Sequence, residues 1–418
     1  MSDRIDLSEH PAPPAVETPA PGIRHRRRPN DILLARLGRA ASHAWPALAA
    51  YALVRIIGVA ALALRAGDDG PSLGKLLASR FDTVYYVHIA QYGYAAPLAE
   101  GCVVQGPMCK YAFFPLYPGI VRAVSEVLPL PVATVAWGVS LLGALLAAWG
   151  IYAVVERVAG RRTAIVAVVL WGIAPHAVVE SMAYTEPVFT ALCAWALYAA
   201  VGRRWVYAGV LASLAGLTRP SGAAVVAAVV LTALWTLVAS RRGREGGAER
   251  PERTGSLLAT ILIAPLGWFA WFAWVGYRAG DWRGYFQVQD KWGSTFDGGV
   301  FTLHRIADVF LKAPLSLNTV VGAATVITAV VLFVICVQQR LHPALLVYAA
   351  VLLLIAVGGA GYFHSKARFL LPAFPLLIPA ARALAAARPA VMYTIVVTGT
   401  LVSSAYGTYL MMVWRRSP

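Results

Sequence analysis

Charged residues are scarce in this chain. Asp, Glu, Lys and Arg make up 13% of its 418 residues, whereas 59% are hydrophobic. This composition excludes a soluble globular domain, which carries a larger share of charged side chains. Several apolar runs of roughly 18 to 22 residues match the thickness of a bilayer core. The sequence therefore predicts an all-α polytopic membrane protein.

Acidic residues are the scarcer kind of charge, with 20 Asp and Glu against 36 Lys and Arg. The basic residues lie in short clusters between the apolar runs, as the positive-inside rule predicts for membrane proteins. Their excess therefore does not indicate a nucleic-acid partner. The cluster RHRRRPN at 24–30 precedes the first run and predicts a cytoplasmic N-terminus.

Residues 1–43 are rich in proline and poor in apolar side chains, which predicts a disordered cytoplasmic tail. The first apolar run begins only near Trp45, and no small-residue cleavage site marks a signal peptide. Residues 44–418 are expected to form the membrane domain. The Lys and Arg bias predicts spans at 44–64, 132–155, 163–181, 186–201, 205–217, 221–239, 256–276, 316–337, 342–361, 369–386 and 390–412.

This path of eleven spans has two long external segments, 65–131 and 277–315. Residues 111–128 hold two prolines and many aromatics, so they form either an interfacial helix or a further span. The path also places the basic WRRSP, residues 414–418, outside, against the positive-inside rule. Most unusual polar residues fall at the outer ends of spans, which predicts one external water-filled cavity.

The stretch RFDTVYYVHIAQYGY at 80–94 places an aspartate among tyrosines. In a helix, Asp82 shares a face with Tyr85, Tyr86 and Ile89, whereas His88 lies on the other face. A solvated helix would place the carboxylate on its polar side instead. The remaining alternative is a helix N-cap, since Asp near a helix start accepts backbone N–H bonds.

Five motifs in this order resemble the PIG-V family of mannosyltransferases, which belongs to the GT-C superfamily. They cover about 80–375 and read FDTVYYVHIAQYGY, YAFFPLYP, TEPVF, GLTRPSG and RFLLPAFP. The composition, rich in Ala, Arg and Gly, is similar to that of actinobacterial homologues. One departure is Phe81, where family members often have Trp before the aspartate.

The resemblance implies a GT-C bundle with interfacial helices in the 65–131 segment, embedded in the plasma membrane. It also implies transfer of mannose, with inversion, from a polyprenyl-phosphate donor to a lipid-linked or glycan acceptor on the extracytoplasmic face. The essential acid that the family keeps in its first external loop corresponds to Asp82. Membrane lipids, the donor and the acceptor are therefore the expected partners.

Transfer from a polyprenyl phosphate needs a base, cations for the leaving phosphate and a groove for the isoprenoid tail. A carboxylate partly desolvated among aromatic rings is a stronger base than a solvated one, and Asp82 fits this description. Arg219, Lys366 and Arg368 are candidate phosphate ligands, and His364 is a candidate hydrogen-bond donor to the phosphate. Contact with lipid headgroups is the alternative role for these cations.

Further residues are candidates for binding the sugar or the acceptor: Glu180, Glu186, Tyr85, Tyr86, His88, Trp282 and Trp292. The two glutamates also suit pairing with Arg219, a metal site or an ordinary turn, and the tryptophans also suit anchoring at the membrane interface. No spacing of His, Asp and Glu demands a metal, so no cofactor is expected and a divalent cation has no support. Arg55 lies within the first span and needs an interior partner.

Cys102 and Cys109 share one external segment, which makes a disulfide between them reasonable. Cys193 and Cys336 lie within spans and are expected to be packing residues. Two other classes compete with the transferase. A lipid-linked-sugar flippase would show repeated halves, and a scaffold subunit would not need Asp82 on an aromatic face. Within the transferase class, arabinose or glucose are alternatives to mannose.

Overall fold

The fold is an α-helical bundle with one short β-ribbon. The computed structural model describes residues 29–67, 70–97, 107–243, 254–414 and 416–418. The helices are α1 (Pro29–Ala66), α2 (Leu73–Ala78), α3 (Thr83–Tyr92), α4 (Leu116–Val127), α5 (Val132–Ala159), α6 (Arg161–Gly172), α7 (Glu186–Val201), α8 (Trp205–Gly216), α9 (Ala223–Gly243), α10 (Thr254–Ile263), α11 (Leu266–Ala279), α12 (Gly284–Lys291), α13 (Val300–Leu311), α14 (Leu317–Gln338), α15 (Pro343–Gly358), α16 (Lys366–Leu370), α17 (Ile378–Ala386) and α18 (Pro389–Met412).

Helix α1 begins earlier than the first apolar run. Residues 1–43 were expected to be a disordered tail, but the described part of that segment, from Pro29, is helical. Proline is favoured in the first turn of a helix, and the Leu, Ala and Arg residues that follow are strong helix formers. Residues 1–28 lie outside the described part of the chain.

Six helical segments in the described residues are long and apolar enough to cross a membrane, and a bent pair adds a seventh. The other predicted spans correspond to the shorter helices α6, α7, α8 and α15, so each of the eleven apolar runs contains helix. Helix α4 has 12 residues. At about 1.5 Å per residue, such a helix is shorter than the roughly 30 Å of a bilayer core, as an interfacial helix would be.

Three of the predicted spans are interrupted. Helix α6 ends at Gly172, and the rest of that run forms the 3₁₀ turn Ala177–Ser181. The run 256–276 is divided between α10 and α11, where Pro265 precedes the second helix. The run 369–386 bends by 78° between the helical pieces Phe363–Leu370 and Phe374–Ala386. Proline removes a backbone donor, and each of the three breaks contains one: Pro175, Pro265 and Pro372.

The end of α6 packs closely against α1. A Cβ at Gly172 would lie 2.9 Å from the ring of Tyr51 on α1, so glycine permits this close approach. The Tyr51 ring stacks on Trp171 with ring centroids 5.2 Å apart. Both aromatic side chains are buried in the main core, which α1, α5, α6, α7 and α15 share. The interruption is therefore part of how the bundle packs.

The β-ribbon joins the 277–315 segment to the end of α15. Strand β1 (Thr295–Phe296) pairs antiparallel with β2 (Gly359–Ala360), with Thr295 opposite Ala360. Gly361, next to β2, has φ +81°, and a Cβ there would lie 2.2 Å from the carbonyl oxygen of Gly293. The ribbon can therefore form only where this position has no side chain.

We expect Gly361→Ala to open the ribbon. The left-handed conformation costs an L-residue about 1–2 kcal/mol, and the contact with Gly293 adds to that cost. Thermal unfolding in detergent and the rate of proteolysis within 277–315 measure the effect. Gly119→Ala in α4 is the control, because a Cβ there meets nothing within 4 Å and the helix gains about 0.5–1 kcal/mol. Equal unfolding temperatures for Gly361→Ala and wild type would contradict the role given to the ribbon.

Candidate active site

A cavity of about 530 Å³ lies where the 65–131 segment, the α8–α9 turn, the 277–315 segment and α16 meet. Six of the candidate residues line it: Asp82, Tyr86, Arg219, Trp292, Lys366 and Arg368. These residues are separated by up to 286 positions in the sequence, so only the fold brings them together. The lining combines the three cations Arg219, Lys366 and Arg368 with aromatic rings.

Asp82 lies at the N-cap position of α3 but does not cap it. Its side chain makes no hydrogen bond to the helix start. Instead, its Oδ2 atom accepts a hydrogen bond of 2.8 Å from Nη1 of Arg368. No described residue donates to Oδ1. The carboxylate is therefore directed into the cavity, which favours the functional interpretation over the N-cap alternative.

The backbone around Asp82 is also unusual. The preceding residue, Phe81, has φ +58°, a left-handed conformation that a non-glycine residue adopts at a cost of about 1–3 kcal/mol. Its ring packs in a separate apolar cluster with α2 and α18, and the Arg80 guanidinium lies 4.8 Å from its centroid. The Asp82 N–H donates to the hydroxyl of Tyr184 at 3.2 Å. The turn into α3 is thus fixed by the packing of the Phe81 ring and by the hydrogen bond from the Asp82 N–H.

Glu186 extends the ion pair of Asp82 and Arg368 into a chain of four charges. It is the first residue of α7, where the helix dipole favours a carboxylate. Its Oε1 lies 2.5 Å from Nη1 of Arg219 and 3.5 Å from Nε of Arg368. The side chain is 1% exposed, and neither of its oxygens accepts a well-directed hydrogen bond among the described residues. Acidic and basic groups therefore alternate along the chain Asp82, Arg368, Glu186 and Arg219.

Lys366 adds a third cation to the cavity. Its Nζ donates hydrogen bonds to the carbonyl oxygens of Ala356 at 2.5 Å and Gly359 at 2.7 Å. These carbonyls lie at the C-terminal end of α15 and next to it, where a helix leaves its acceptors unpaired. An ammonium group has three donors, so one remains for a ligand.

The aromatic wall of the cavity is built by the 65–131 segment together with Trp292 of the 277–315 segment. The ring of Tyr86 packs edge-on against Phe113 and Tyr117, with both centroid distances 5.2 Å. Burial raises the pKa of Tyr86 well above its ordinary value, so its hydroxyl keeps its proton at neutral pH. Trp292 donates its indole N–H to the carbonyl of Cys109 at 3.0 Å. Its indole nitrogen is therefore engaged within the protein, and its ring surface is what remains for a ligand.

Six candidates do not line the cavity: Glu186, described above, Glu180, and the four residues Tyr85, His88, His364 and Trp282. The ring of Tyr85 stacks on that of Phe113, with the ring centroids 4.6 Å apart. His88 contacts the carbonyl of Pro97 at 2.9 Å. The His364 ring lies 5.6 Å from Trp414, and Trp282 is 82% exposed in a separate open groove beside α11.

Glu180 is also remote from the cavity. It is 1% exposed, and its Oε2 accepts a hydrogen bond of 2.8 Å from the hydroxyl of Tyr51. The same region answers the question of Arg55, whose partners the sequence left open. Its Nη1 donates to the carbonyl of Gly172 at 2.7 Å and its Nε to Ser181 at 3.2 Å. This cluster ties α1 to the interrupted end of α6.

Two residues of the cavity region escaped the sequence analysis. Tyr184 lies under the guanidinium of Arg368, 5.4 Å from the ring centroid, and its only signal was its position beside the TEPVF motif. Ser417 lines the cavity and belongs to the basic segment that broke the positive-inside rule. Neither residue carries a local pattern that indicates a role.

Metal ligands and cysteines complete the inventory. Within the described ranges, no three His, Cys, Asp or Glu side chains are grouped as a metal site would require. Cys109 is disulfide-bonded, whereas Cys102 of the predicted pair lies outside the described residues. Cys193 and Cys336 are free, buried thiols.

Comparison with known proteins gives one family match. Residues 115–269 match the family described as dolichyl-phosphate-mannose-protein mannosyltransferase, and the match covers less than half of the chain. A comparison with curated protein sequences finds no match.

The fold is similar to solved structures. ArnT from Cupriavidus metallidurans bound to undecaprenyl phosphate has a TM-score of 0.50 at 16% identity, over 85% of this chain and 62% of that one. Its apo state has a TM-score of 0.49 at 16% identity, over 83% and 61%. Oligosaccharyltransferase AglB from Archaeoglobus fulgidus, with an inhibitory peptide and a dolichol-phosphate, has 0.45 at 14%, over 87% and 55%.

The chain thus spans about three fifths of the length of the ArnT structures. The likeness to the undecaprenyl-phosphate-bound form, together with the apolar helices, confirms the predicted fold class, an all-α polytopic bundle of the GT-C type.

Proposed function

We propose that this protein is an inverting glycosyltransferase that moves mannose from a polyprenyl-phosphate donor to a lipid-linked or glycan acceptor. The observation that carries the proposal is the pairing of Asp82 with Arg368 in a cavity that also holds Arg219 and Lys366. The description of the matched family and the lipid phosphate bound to ArnT support the same chemistry.

In the proposed reaction, the acceptor hydroxyl attacks C1 of the sugar as Asp82 takes its proton. The bond between C1 and the phosphate oxygen breaks, and the polyprenyl phosphate leaves with the electron pair. A single displacement inverts the configuration at C1. Oδ2 of Asp82 stays with Arg368, so Oδ1 is the atom for the proton. A positioned base of this kind is worth about 10²- to 10⁴-fold in rate.

The leaving phosphate would be held by the cations of the cavity, Arg219, Lys366 and Arg368. Arg219 lines the cavity, whereas its partner Glu186 does not. The ion pair with this buried carboxylate therefore holds the guanidinium in place. Arginine suits the geometry of phosphate oxygens, and Lys366 acts as a point charge. Tyr86 and the ring of Trp292 would pack on the sugar.

Mannose, the resemblance to PIG-V and the cellular placement are the finer parts of the proposal. The motifs of that family support mannose, with arabinose or glucose as alternatives, since aromatic rings do not by themselves distinguish one sugar from another. We place the protein in the plasma membrane with its N-terminus in the cytoplasm and the cavity on the extracytoplasmic face. The distribution of basic residues supports this orientation.

Lys366→Ala is expected to weaken donor binding about 10- to 100-fold, because a hydrogen bond to a charged group contributes about 1.5–3 kcal/mol. The donor KM of the purified protein measures this loss, and kcat should change less. Lys312→Ala is the control, since Lys312 is 70% exposed and pairs with Asp308 away from the cavity. An unchanged donor KM in Lys366→Ala would remove this residue from the phosphate site.

The function is tested with purified protein in detergent, radiolabelled polyprenyl-phosphate mannose and a panel of lipid and glycan acceptors. A labelled product with inverted configuration is the expected result, and donors carrying arabinose or glucose test the sugar. A flippase would yield no product in detergent but would move the donor across the bilayer of reconstituted vesicles. That outcome would replace the transferase by a transporter.

A further inference from the structure

The segment that follows α18, namely Trp414 and residues 416–418, reaches the catalytic cavity. The end of α18 is held there because Arg80 donates a hydrogen bond from Nη1 to the carbonyl of Met411. Trp414 packs near His364, and Ser417 is part of the cavity lining. The basic segment that broke the positive-inside rule is therefore beside the proposed site, which gives its position a structural reason.

The hydroxyl of Ser417 touches two groups of the site. Nη1 of Arg368 donates to its Oγ at 3.0 Å, and the hydroxyl of Tyr184 lies 3.0 Å away. Nη1 of Arg368 also donates to Asp82. Ser417 and Asp82 together therefore use this nitrogen, while no described residue accepts a hydrogen bond from Nη2. The second nitrogen remains available to a ligand.

Either hydroxyl of the Tyr184 and Ser417 pair could donate to the other, and burial favours Tyr184 as the donor. Tyr184 is fully buried, and its proton reaches no other acceptor among the described residues. A guanidinium only donates, so Oγ of Ser417 accepts from Arg368. The Tyr184 oxygen accepts the N–H of Asp82, so its own proton is free to point to Oγ of Ser417. In this arrangement Ser417 accepts twice within the protein. With the Tyr184 proton on Oγ, the proton of Ser417 is left for a ligand, and the side chain lines the cavity.

We propose that Ser417 is a positioning residue for Arg368 and that its free O–H donates to a phosphate oxygen of the donor. This inference rests on the proposed function. Arg368, Ser417 and Lys366 would then surround one anionic group from two elements, α16 and the segment after α18, while carbonyls at the end of α15 hold Lys366 in place. The ring faces of Tyr184 and Phe369, each within 5.4 Å of the guanidinium, restrict its rotation.

The test measures binding of undecaprenyl phosphate to the purified full chain, alongside sugar transfer. Ser417→Ala is expected to weaken binding about ten-fold, since one hydrogen bond to a charged group is lost. Ser417→Thr keeps the hydroxyl and should restore most of the affinity. Thr408→Ala is the control, because the Thr408 hydroxyl on α18 has no partner among the described residues and its loss should change nothing.

The outcomes separate this inference from the proposed function. If wild type transfers sugar and Ser417→Ala binds undecaprenyl phosphate as wild type does, the inference is overturned and the function stands. A loss of transfer with unchanged phosphate binding would likewise overturn it, by assigning Ser417 to the sugar or the acceptor. If wild type neither binds the lipid phosphate nor transfers sugar, the proposed function fails and the inference with it.

Discussion

Replacing Asp82 by asparagine is expected to lower the rate of sugar transfer by about 10²- to 10⁴-fold, the usual contribution of a positioned base. An amide cannot take the acceptor proton. Its oxygen still accepts the hydrogen bond from Arg368, so the fold and the cation should stay in place. Donor binding is therefore expected to remain close to that of wild type. Initial rates at saturating donor, together with binding of undecaprenyl phosphate, measure both parts.

Asp308→Asn is the matched control for this variant. Asp308 on α13 forms ion pairs with Arg305 and with Lys312, which follows the helix. These residues do not line the cavity, so the loss of the Asp308 charge should leave transfer unchanged. Full activity in Asp82→Asn would sink the proposed mechanism. A variant that neither transfers sugar nor binds lipid phosphate would instead show that Asp82 maintains the site through Arg368.

Glu186→Ala is expected to cost about 3–5 kcal/mol of unfolding free energy. Removing one member of a buried ion pair leaves its partner without a counter-charge, and Glu186 has two such partners, Arg219 and Arg368. The loss should appear as a lower unfolding temperature in detergent. Glu126→Ala is the control, because the pair of Glu126 with Arg122 is exposed and such pairs contribute about 0–1 kcal/mol.

A double-mutant cycle separates the pair from the general effect of truncation. Arg219→Met removes the cation that Glu186 leaves unpaired and keeps an unbranched side chain. The double variant is expected to lose less stability than the sum of the two single variants, with a coupling of about 0.5–3 kcal/mol. Additive losses would mean that the 2.5 Å contact between these residues carries no net interaction.

The helices could be predicted from the sequence because their signals are local. The apolar run 186–201 has the same bounds as α7, and the run 316–337 differs from α14 by one residue at each end. The interruption after Gly172 has a local signal, Pro175, but the sequence does not show that Tyr51 of another helix packs against this end. The count of apolar runs exceeds the count of long helices because α7, α8 and α15 are short and α6 ends early.

The site shows the same division between local and distant information. Asp82, Arg219 and Arg368 carry local signals, since each is a charge beside an aromatic stretch or a proline at the end of a run. Their arrangement in pairs carries none, because Asp82 and Arg368 are 286 residues apart. The only sequence signal near Ser417 is the basic segment WRRSP, which breaks the positive-inside rule. The candidates remote from the cavity, such as His88, shared the composition of the site without its geometry.

The left-handed backbone at Phe81 bears on the one departure from the PIG-V motif that this stretch resembles. The ring at this position turns away from the cavity, toward α2, α18 and the guanidinium of Arg80. An indole in its place would address that apolar cluster and would offer its N–H to no substrate. Phe in place of Trp therefore changes the packing of that apolar cluster and leaves the cavity lining unchanged. The loop needs the left-handed main-chain conformation at residue 81 to position Asp82. The kind of aromatic ring at residue 81 affects how the loop packs, and it does not affect the chemistry of the carboxylate.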